Sequence, residues 1–347
     1  MKDAEIQGLI DKTFNKLKNT GGGKNASYIP ELAKADPNLF GISFVSCNGT
    51  VYEAGKTTTG VPIESISKLF TLARAVDELG GKTVSKKIGH SGSWLPFNSA
   101  VAADLSPSHT INPFVNQGAM ATTSLLYTKN KAKFKARVLG NLDRFAGKKL
   151  GFNTAVYKSE SETNSKNMAL AYLLKSHDRF YGDVNDTVDV YTQQCSKTVS
   201  ARDLATMACV FAKGGYHPHT GKRVIAEDTA KYVIRAMHRS GLYEYSGTWA
   251  AEVGYVAAKS GVAGGVLIIL NGIGGLAIIS PPLDAIGNSV RGVKAGKLIT
   301  KGLYNIKDAA AKFCPPPTTK QIRVKKSTND KTRKRRYKSR KSRKTRR

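Results

Sequence analysis

Cysteine is scarce in this 347-residue chain, and the four present (Cys47, Cys195, Cys209 and Cys314) share no C-x-x-C or metal-type spacing. That argues against a disulfide scaffold and a zinc module, and a reducing compartment suits such a sequence. Long apolar runs are lacking as well. The most apolar stretch, Val253 to Ile279, is interrupted by Lys259, Asn271 and several glycines, so it offers no run of about twenty residues for a membrane helix. The acidic start Met1-Lys2-Asp3-Ala4-Glu5 has neither the character of a signal peptide nor that of an Arg-rich transit peptide. No repeat of solenoid period is found. A cytoplasmic protein is expected, unless its C-terminal tail redirects it.

Acidic residues are also in short supply: 25 Asp and Glu stand against 55 Lys and Arg, a formal charge of +30. The excess is unevenly placed. Lys320–Arg347 holds 16 basic residues and one acid, Asp330, for +15; the other 319 residues hold 39 and 24, again +15. The tail is nearly free of large apolar residues and is expected to stay disordered. Nucleic acid, an anionic surface or an import receptor are its possible partners. Tyr337 is its one aromatic residue, so base stacking is minimal and any binding is expected to be nonspecific and salt-sensitive.

What is present is an ordinary globular composition, 40% hydrophobic and 23% charged, enough for a sizeable core. Gly21-Gly22-Gly23 separates an N-terminal helix (about 3–19) from the body, and Pro315-Pro316-Pro317 closes it. The expected division is 1–27 for helix and linker, 28–314 for the functional domain and 315–347 for the tail. Ile42–Ser46 and Thr50–Ala54 flank Asn48-Gly49, a two-residue hairpin signal. Helical periodicity follows near 65–76, 117–128, 131–146, 165–178, 185–194, 200–214 and 226–240. Strands are expected at Glu252–Val256, Gly265–Leu270 and Gly275–Ser280, and a last helix within Leu283–Phe313. The resulting class is α+β. An antiparallel sheet flanked by helices (about 28–80 and 245–314) stands beside an all-helical lobe (about 81–244), with a cleft between them for a ligand.

Ser65-x-x-Lys68 opens the first helix after the hairpin. One helical turn brings hydroxyl and amine to one face, and a Lys made neutral by burial can take the Ser proton. The helix start supplies N–H groups for an oxyanion. Alone the pattern is weak, since a capping Ser and a surface Lys read the same way. Lys259-Ser260-Gly261, just before the glycine-rich strand from Val262, strengthens it: S-x-x-K with a later K-[ST]-G marks penicillin-recognising serine enzymes. The middle S-x-N or Y-x-N element is not cleanly present, which speaks against a β-lactamase. His217-Pro218-His219 reads as a turn rather than a metal site, and Gly272-Ile273-Gly274-Gly275 misses the dinucleotide fingerprint.

Further blocks carry a more specific resemblance. Tyr28–Ala33, Ser65–Lys68, Phe97-Asn98-Ser99, Asn112–Ala119, Ser159–Glu162 with Asn167, Tyr191–Ser196, Gly241–Gly247, Ala258–Gly265 and Ser280–Asp284 fall in the order of the glutaminase family. The chain resembles these serine-dependent amidohydrolases of β-lactamase-like fold over about 28–305. The resemblance implies Ser65 as nucleophile, Lys68 as its base, Tyr243 as a proton relay and Tyr191 at the reacting centre. It implies the N–H groups of Ser65 and Val262 as oxyanion hole, and Tyr28, Asn116, Glu160 and Asn167 around the amino-acid end of L-glutamine. It implies no cofactor or metal, and a homodimer or homotetramer. Two departures stand out: Glu64 replaces the family's Gln before the nucleophile, and Ser91-Gly92-Ser93-Trp94 replaces E-P-S-G. The alternative to an active glutaminase is a weakened glutaminase-like binding protein held on nucleic acid by the tail.

Overall fold

Every residue of Gly41–Ser46, Gly265–Leu270 and Gly274–Ile279 is buried. Strands buried on both pleat faces need cover on both sides, and that need organises the fold. The computed structural model describes residues 3–92 and 95–305. Its strands are β1 (Gly41–Ser46), β2 (Val51–Gly55), β3 (Val61–Pro62), β4 (Gly151–Phe152), β5 (Lys197–Val199), β6 (Ala257–Gly261), β7 (Gly265–Leu270) and β8 (Gly274–Ile279). Five form an antiparallel sheet in the order β2-β1-β8-β7-β6, and three short ones form a second, β3-β5-β4. The opening hairpin and the closing strands therefore share one sheet, joined where β1 pairs β8 from Gly41↔Ile279 to Ser46↔Gly274.

Alternation along β7 separates the two covering layers. Val266 and Ile268 meet the helix Val290–Tyr304 at Gly292 and Gly296, and the helix Asp3–Leu17 packs beside it. Gly265 and, on β8, Gly275 face the helix Ala201–Ala212, whose backbone rests on the strand at Gly275. Fully buried side chains such as Ile42, Phe44, Val266 and Ile268 each contribute about 1.5–3 kcal/mol.

The intervening chain is mostly helical rather than all-helical, since the short β4 and β5 lie within it; Asn116–Ser124 is its centre, with eight of nine residues buried. A helix so rich in hydroxyls can be buried because Thr122, Thr123 and Ser124 donate back to Gly118, Ala119 and Ala121 carbonyls at 2.7–2.9 Å. Phe145 on the helix Lys131–Ala146 lies 4.8 Å from Phe70 on Ser67–Leu79 and 5.0 Å from Phe211 on Ala201–Ala212, centroid to centroid. The trio ties the Ser-x-x-Lys helix to both the helical part and the sheet layer. Asn130, Asn153, Asp183 and Ser200 cap helices through their side-chain oxygens, each worth about 1 kcal/mol.

Three local expectations are corrected. The β1–β2 loop, residues 47–50, has four residues, not two: Ser46 N–H donates to Thr50 O, Gly49 N–H to Ser46 O, and Gly49 adopts φ 96°, a conformation glycine accepts without penalty. Glu252–Val256 is not a strand. The helix Ser246–Val253 runs into it, anchored by buried Trp249, whose indole N–H donates to Val256 O at 2.8 Å. Lys259-Ser260-Gly261 consequently lies on β6, paired with Leu267, Val266 and Gly265, and Val262–Gly264 is the turn. The final helix covers Val290–Tyr304, while Asp284 accepts three backbone N–H groups, from Ile286, Gly287 and Asn288, in the loop before it. The rest of that helical pattern, Cys314, the prolines, the basic tail, Ser93 and Trp94 lie outside the described residues. Among those described, no helix is long and apolar enough to cross a membrane.

β6 is an edge strand, but its outer side is met by the chain. Gly241 O accepts from Ser260 N–H at 3.4 Å, and a Cβ at Gly241 would stand 1.9 Å from Ala258 O. Only glycine permits that approach.

Candidate active site

Ser65 sits in a single 3-10 turn, Glu64–Ile66, directly ahead of the helix Ser67–Leu79. Ser67 Oγ donates to Glu64 O at 2.6 Å, fixing the turn. Glu64 at φ 52° and Tyr243 at φ 57° both occupy left-handed backbone, which costs a non-glycine residue about 1–3 kcal/mol and concentrates at functional sites. Ser65 and Lys68 are both buried. No hydrogen bond joins them among the described residues: Lys68 Nζ donates instead to Phe114 O at 3.2 Å and Asn116 Oδ1 at 2.7 Å. The hydroxyl that faces Ser65 is that of Tyr243, which also faces Ser260, without a well-formed hydrogen bond to either.

Asn116 gathers the site. Its Oδ1 accepts from Lys68 and, at 3.3 Å, from the Tyr191 hydroxyl; its Nδ2 donates to Asn167 Oδ1 at 3.0 Å. The N-P-F-V-N segment places it, because Asn112 Oδ1 accepts from both Phe114 and Val115 N–H and so turns the chain into the helix Asn116–Ser124. Glu160, from the helix Thr154–Glu162, brings a carboxylate oxygen into a cluster with Glu64 and Cys195 Sγ, all within 4.8 Å of one another. The helix Pro30–Ala33 packs on that same helix and sets Tyr28 at the rim. Its ring is half exposed, while its hydroxyl lies in the field of Glu64, Tyr243 and Glu160. Neither the Ser65 nor the Val262 N–H has a backbone acceptor among the described residues, as an oxyanion hole requires. Contacts thus link Lys68, Asn116, Asn167 and Tyr191, while Ser65 faces Tyr243 and Tyr28 lies in the field of Glu64 and Glu160.

Burial dominates its electrostatics. It draws the Lys68 amine down to about 8, against the opposing pull of Cys195, Glu64 and Glu160. It pushes Tyr243 up to about 12 and Tyr191 and Cys195 well above their ordinary values. Glu64 is raised well above the carboxylate range by burial and then by Glu160, and Glu160 is raised chiefly by burial. Lys259 is pushed well below the usual lysine value by burial and by Lys68; its Nζ lies 4.4 Å from the Tyr243 ring centroid and donates to Ser260 O.

Two groups here were not assigned a role from sequence. Lys259 was visible in K-S-G, but its contact with the Tyr243 ring depends on β6 folding beside the Tyr243 turn. Cys195 had no signal, being one thiol without a spaced partner. Glu64, Glu160 and Cys195 are metal-ligand types in kind, but they share their space with the Lys68 ammonium and supply three donors, where a structural zinc takes four.

A five-stranded antiparallel sheet between helix layers, a helical block beside it and a Ser-x-x-Lys turn where they meet define a β-lactamase-like fold. The pattern of the Glutaminase family matches residues 23–305. The chain is 47% identical over 300 residues to the glutaminase of Colwellia psychrerythraea strain 34H, covering 86% of this chain and 96% of that one. It is 41% identical over 308 residues to glutaminase 1 of Escherichia coli strain K12, covering 88% and 99%. Among solved structures it is similar to the probable glutaminase ybaS (TM-score 0.85, 40% identity, 88% of this chain and 98% of that one). It is also similar to the Bacillus subtilis glutaminase YbgJ in covalent complex with 5-oxo-L-norleucine (TM-score 0.74, 27% identity, 90% and 99%). The chain belongs to the glutaminase family.

Proposed function

We propose that the chain hydrolyses the side-chain amide of L-glutamine to L-glutamate and ammonia through an acyl-enzyme on Ser65. The observation that carries this reading is Lys68, an amine buried one turn from Ser65 and drawn to about 8, within reach of the neutral form near neutral pH. Ser65 Oγ attacks the amide carbon as its proton passes to Lys68. The carbonyl oxygen takes the negative charge and accepts from the Ser65 and Val262 N–H groups. The Tyr243 hydroxyl relays the proton to the departing nitrogen; the C–N bond breaks, ammonia leaves and the ester remains. Water then adds to the ester, releasing glutamate and restoring Ser65. A free amino acid is a zwitterion, so its ends need an anion and neutral donors. Glu160 supplies the first, and Asn116, Asn167, Tyr28 and Tyr191 the second.

The covalent adduct of the B. subtilis relative with a glutamine-shaped ketone supports a nucleophile in the corresponding pocket. Ammonia release from glutamine, measured beside Ser65→Ala, tests the reading. No release by the wild type, or unchanged release by the variant, overturns it.

For the tail, the reading is nonspecific retention on nucleic acid by its +15 charge. Deleting residues 320–347 is expected to abolish retention on DNA or RNA at low salt and to spare ammonia release. Retention that survives the deletion assigns it to the basic body. Self-association as a dimer or tetramer, implied by the family, is read by sedimentation.

A further inference from the structure

Glu64 is 2% exposed, held in left-handed backbone beside Ser65, and one of its carboxyl oxygens has no hydrogen-bond partner. Its carboxyl and that of Glu160 converge in one pocket with Cys195 Sγ. The groups facing the pair come from four segments: Lys68 on Ser67–Leu79, Cys195 and Tyr191 on Val184–Cys195, Tyr243 in the turn Tyr243–Tyr245, and Tyr28 ahead of Pro30–Ala33. Lys259, on β6, faces Lys68 and Cys195 instead. Burial disfavours the charged forms of the thiol and the phenols, and burial together with Lys68 disfavours the charged form of Lys259. One ammonium, Lys68, therefore faces two acids, and it directs its hydrogen bonds to Phe114 and Asn116 rather than to either carboxyl.

Two carboxylates confined in one desolvated space do not both ionise. One retained proton leaves a single negative charge beside a single ammonium. The proton belongs on the more deeply buried member, since its charged form loses more hydration; that member is Glu64, Glu160 being only partly buried.

We propose that Glu64 is a neutral carboxylic acid that donates its proton to Glu160, so that the pair presents one negative charge to the α-ammonium of the substrate. The identity of that ammonium rests on the glutamine reading above; the shared proton does not. Glu64 is a positioning residue here, orienting the Glu160 carboxylate that meets the ligand. At alkaline pH the shared proton is lost. The pocket then carries two negative charges against a ligand that brings its own carboxylate, and binding weakens.

Infrared spectroscopy of the full-length protein, without substrate, tests the proton. The expected result is a carbonyl stretch of a protonated carboxyl at neutral pH that disappears on alkaline titration and is absent from Glu64→Gln. A neutral-pH spectrum without that band overturns the proposal, and this needs no variant to fold. Steady-state kinetics test its consequence. The ratio of the wild-type KM to the Glu64→Gln KM for glutamine is expected to climb with pH, by up to about tenfold per unit for one proton, while the substrate's own amine titrates alike with both proteins. A ratio that is constant across pH overturns the link to ammonium binding. If no ammonia is released at any pH, the glutaminase reading fails while the spectrum still decides the proton.

Discussion

The ammonium of Lys68 donates a 2.7 Å hydrogen bond to Asn116 Oδ1. A hydrogen bond to that oxygen favours the charged amine; burial, against the pull of Cys195, Glu64 and Glu160, draws the amine down to about 8. At rest the amine is protonated below that value, so a base role for Lys68 would depend on how readily the proton leaves.

The first expectation concerns pH. Only neutral Lys68 can accept the Ser65 proton, and its fraction grows as pH rises through about 8. kcat/KM for glutamine should rise by about tenfold per unit below that point and stop rising above it. A profile flat across the acid side removes Lys68 as the base.

Asn116→Ala removes the acceptor of Lys68 and the donor to Asn167. A hydrogen bond to a charged group is worth about 1.5–3 kcal/mol. KM should rise on the order of 10- to 100-fold, and the rising limb of the pH profile should move to lower pH. A KM change without the displaced limb would confine Asn116 to substrate contact.

Ser65→Ala should reduce kcat by a factor on the order of 10⁴ or more while leaving the melting temperature near that of the wild type. The pairing of those two measurements separates a lost nucleophile from a damaged fold.

Tyr243→Phe deletes the hydroxyl that faces Ser65 and keeps the ring, whose centroid lies 5.1 Å from that of Phe97. Loss of a proton relay should lower kcat by about 10²- to 10⁴-fold with little change in KM. A change in KM alone would make Tyr243 a wall of the pocket.

Phe145→Ala opens a cavity between Phe70 and Phe211. A cost of about 3–5 kcal/mol is expected, read as a lowered denaturation midpoint at unchanged m-value.

Much of this was legible in the sequence. The hairpin, the Ser-x-x-Lys helix and the closing strands β7 and β8 announce themselves by period, because each buries a continuous apolar face. The residues gathered around Ser65 were read from blocks of sequence, and no single Tyr or Asn would have been convincing alone. What escaped was tertiary. Glu252–Val256 carries valines and a tyrosine that suit a strand, but the helix around buried Trp249 takes Glu252 and Val253, and Val256 is held by the Trp249 indole instead. The spacing of Ser65 and Lys68 suggested direct contact, whereas Asn116, 48 residues further on, takes the amine. Glu64 was noticed as a departure, but its convergence with Glu160 depends on a helix that no local pattern brings there.

The closed flank of β6 has a consequence for what can be bound. An extended ligand can bind a sheet by pairing with the free side of an edge strand, adding one more strand to it. Here Gly241 already occupies that place against Ala258 and Ser260. An extended peptide therefore finds no free edge along that stretch of β6, and strand addition there is closed to it.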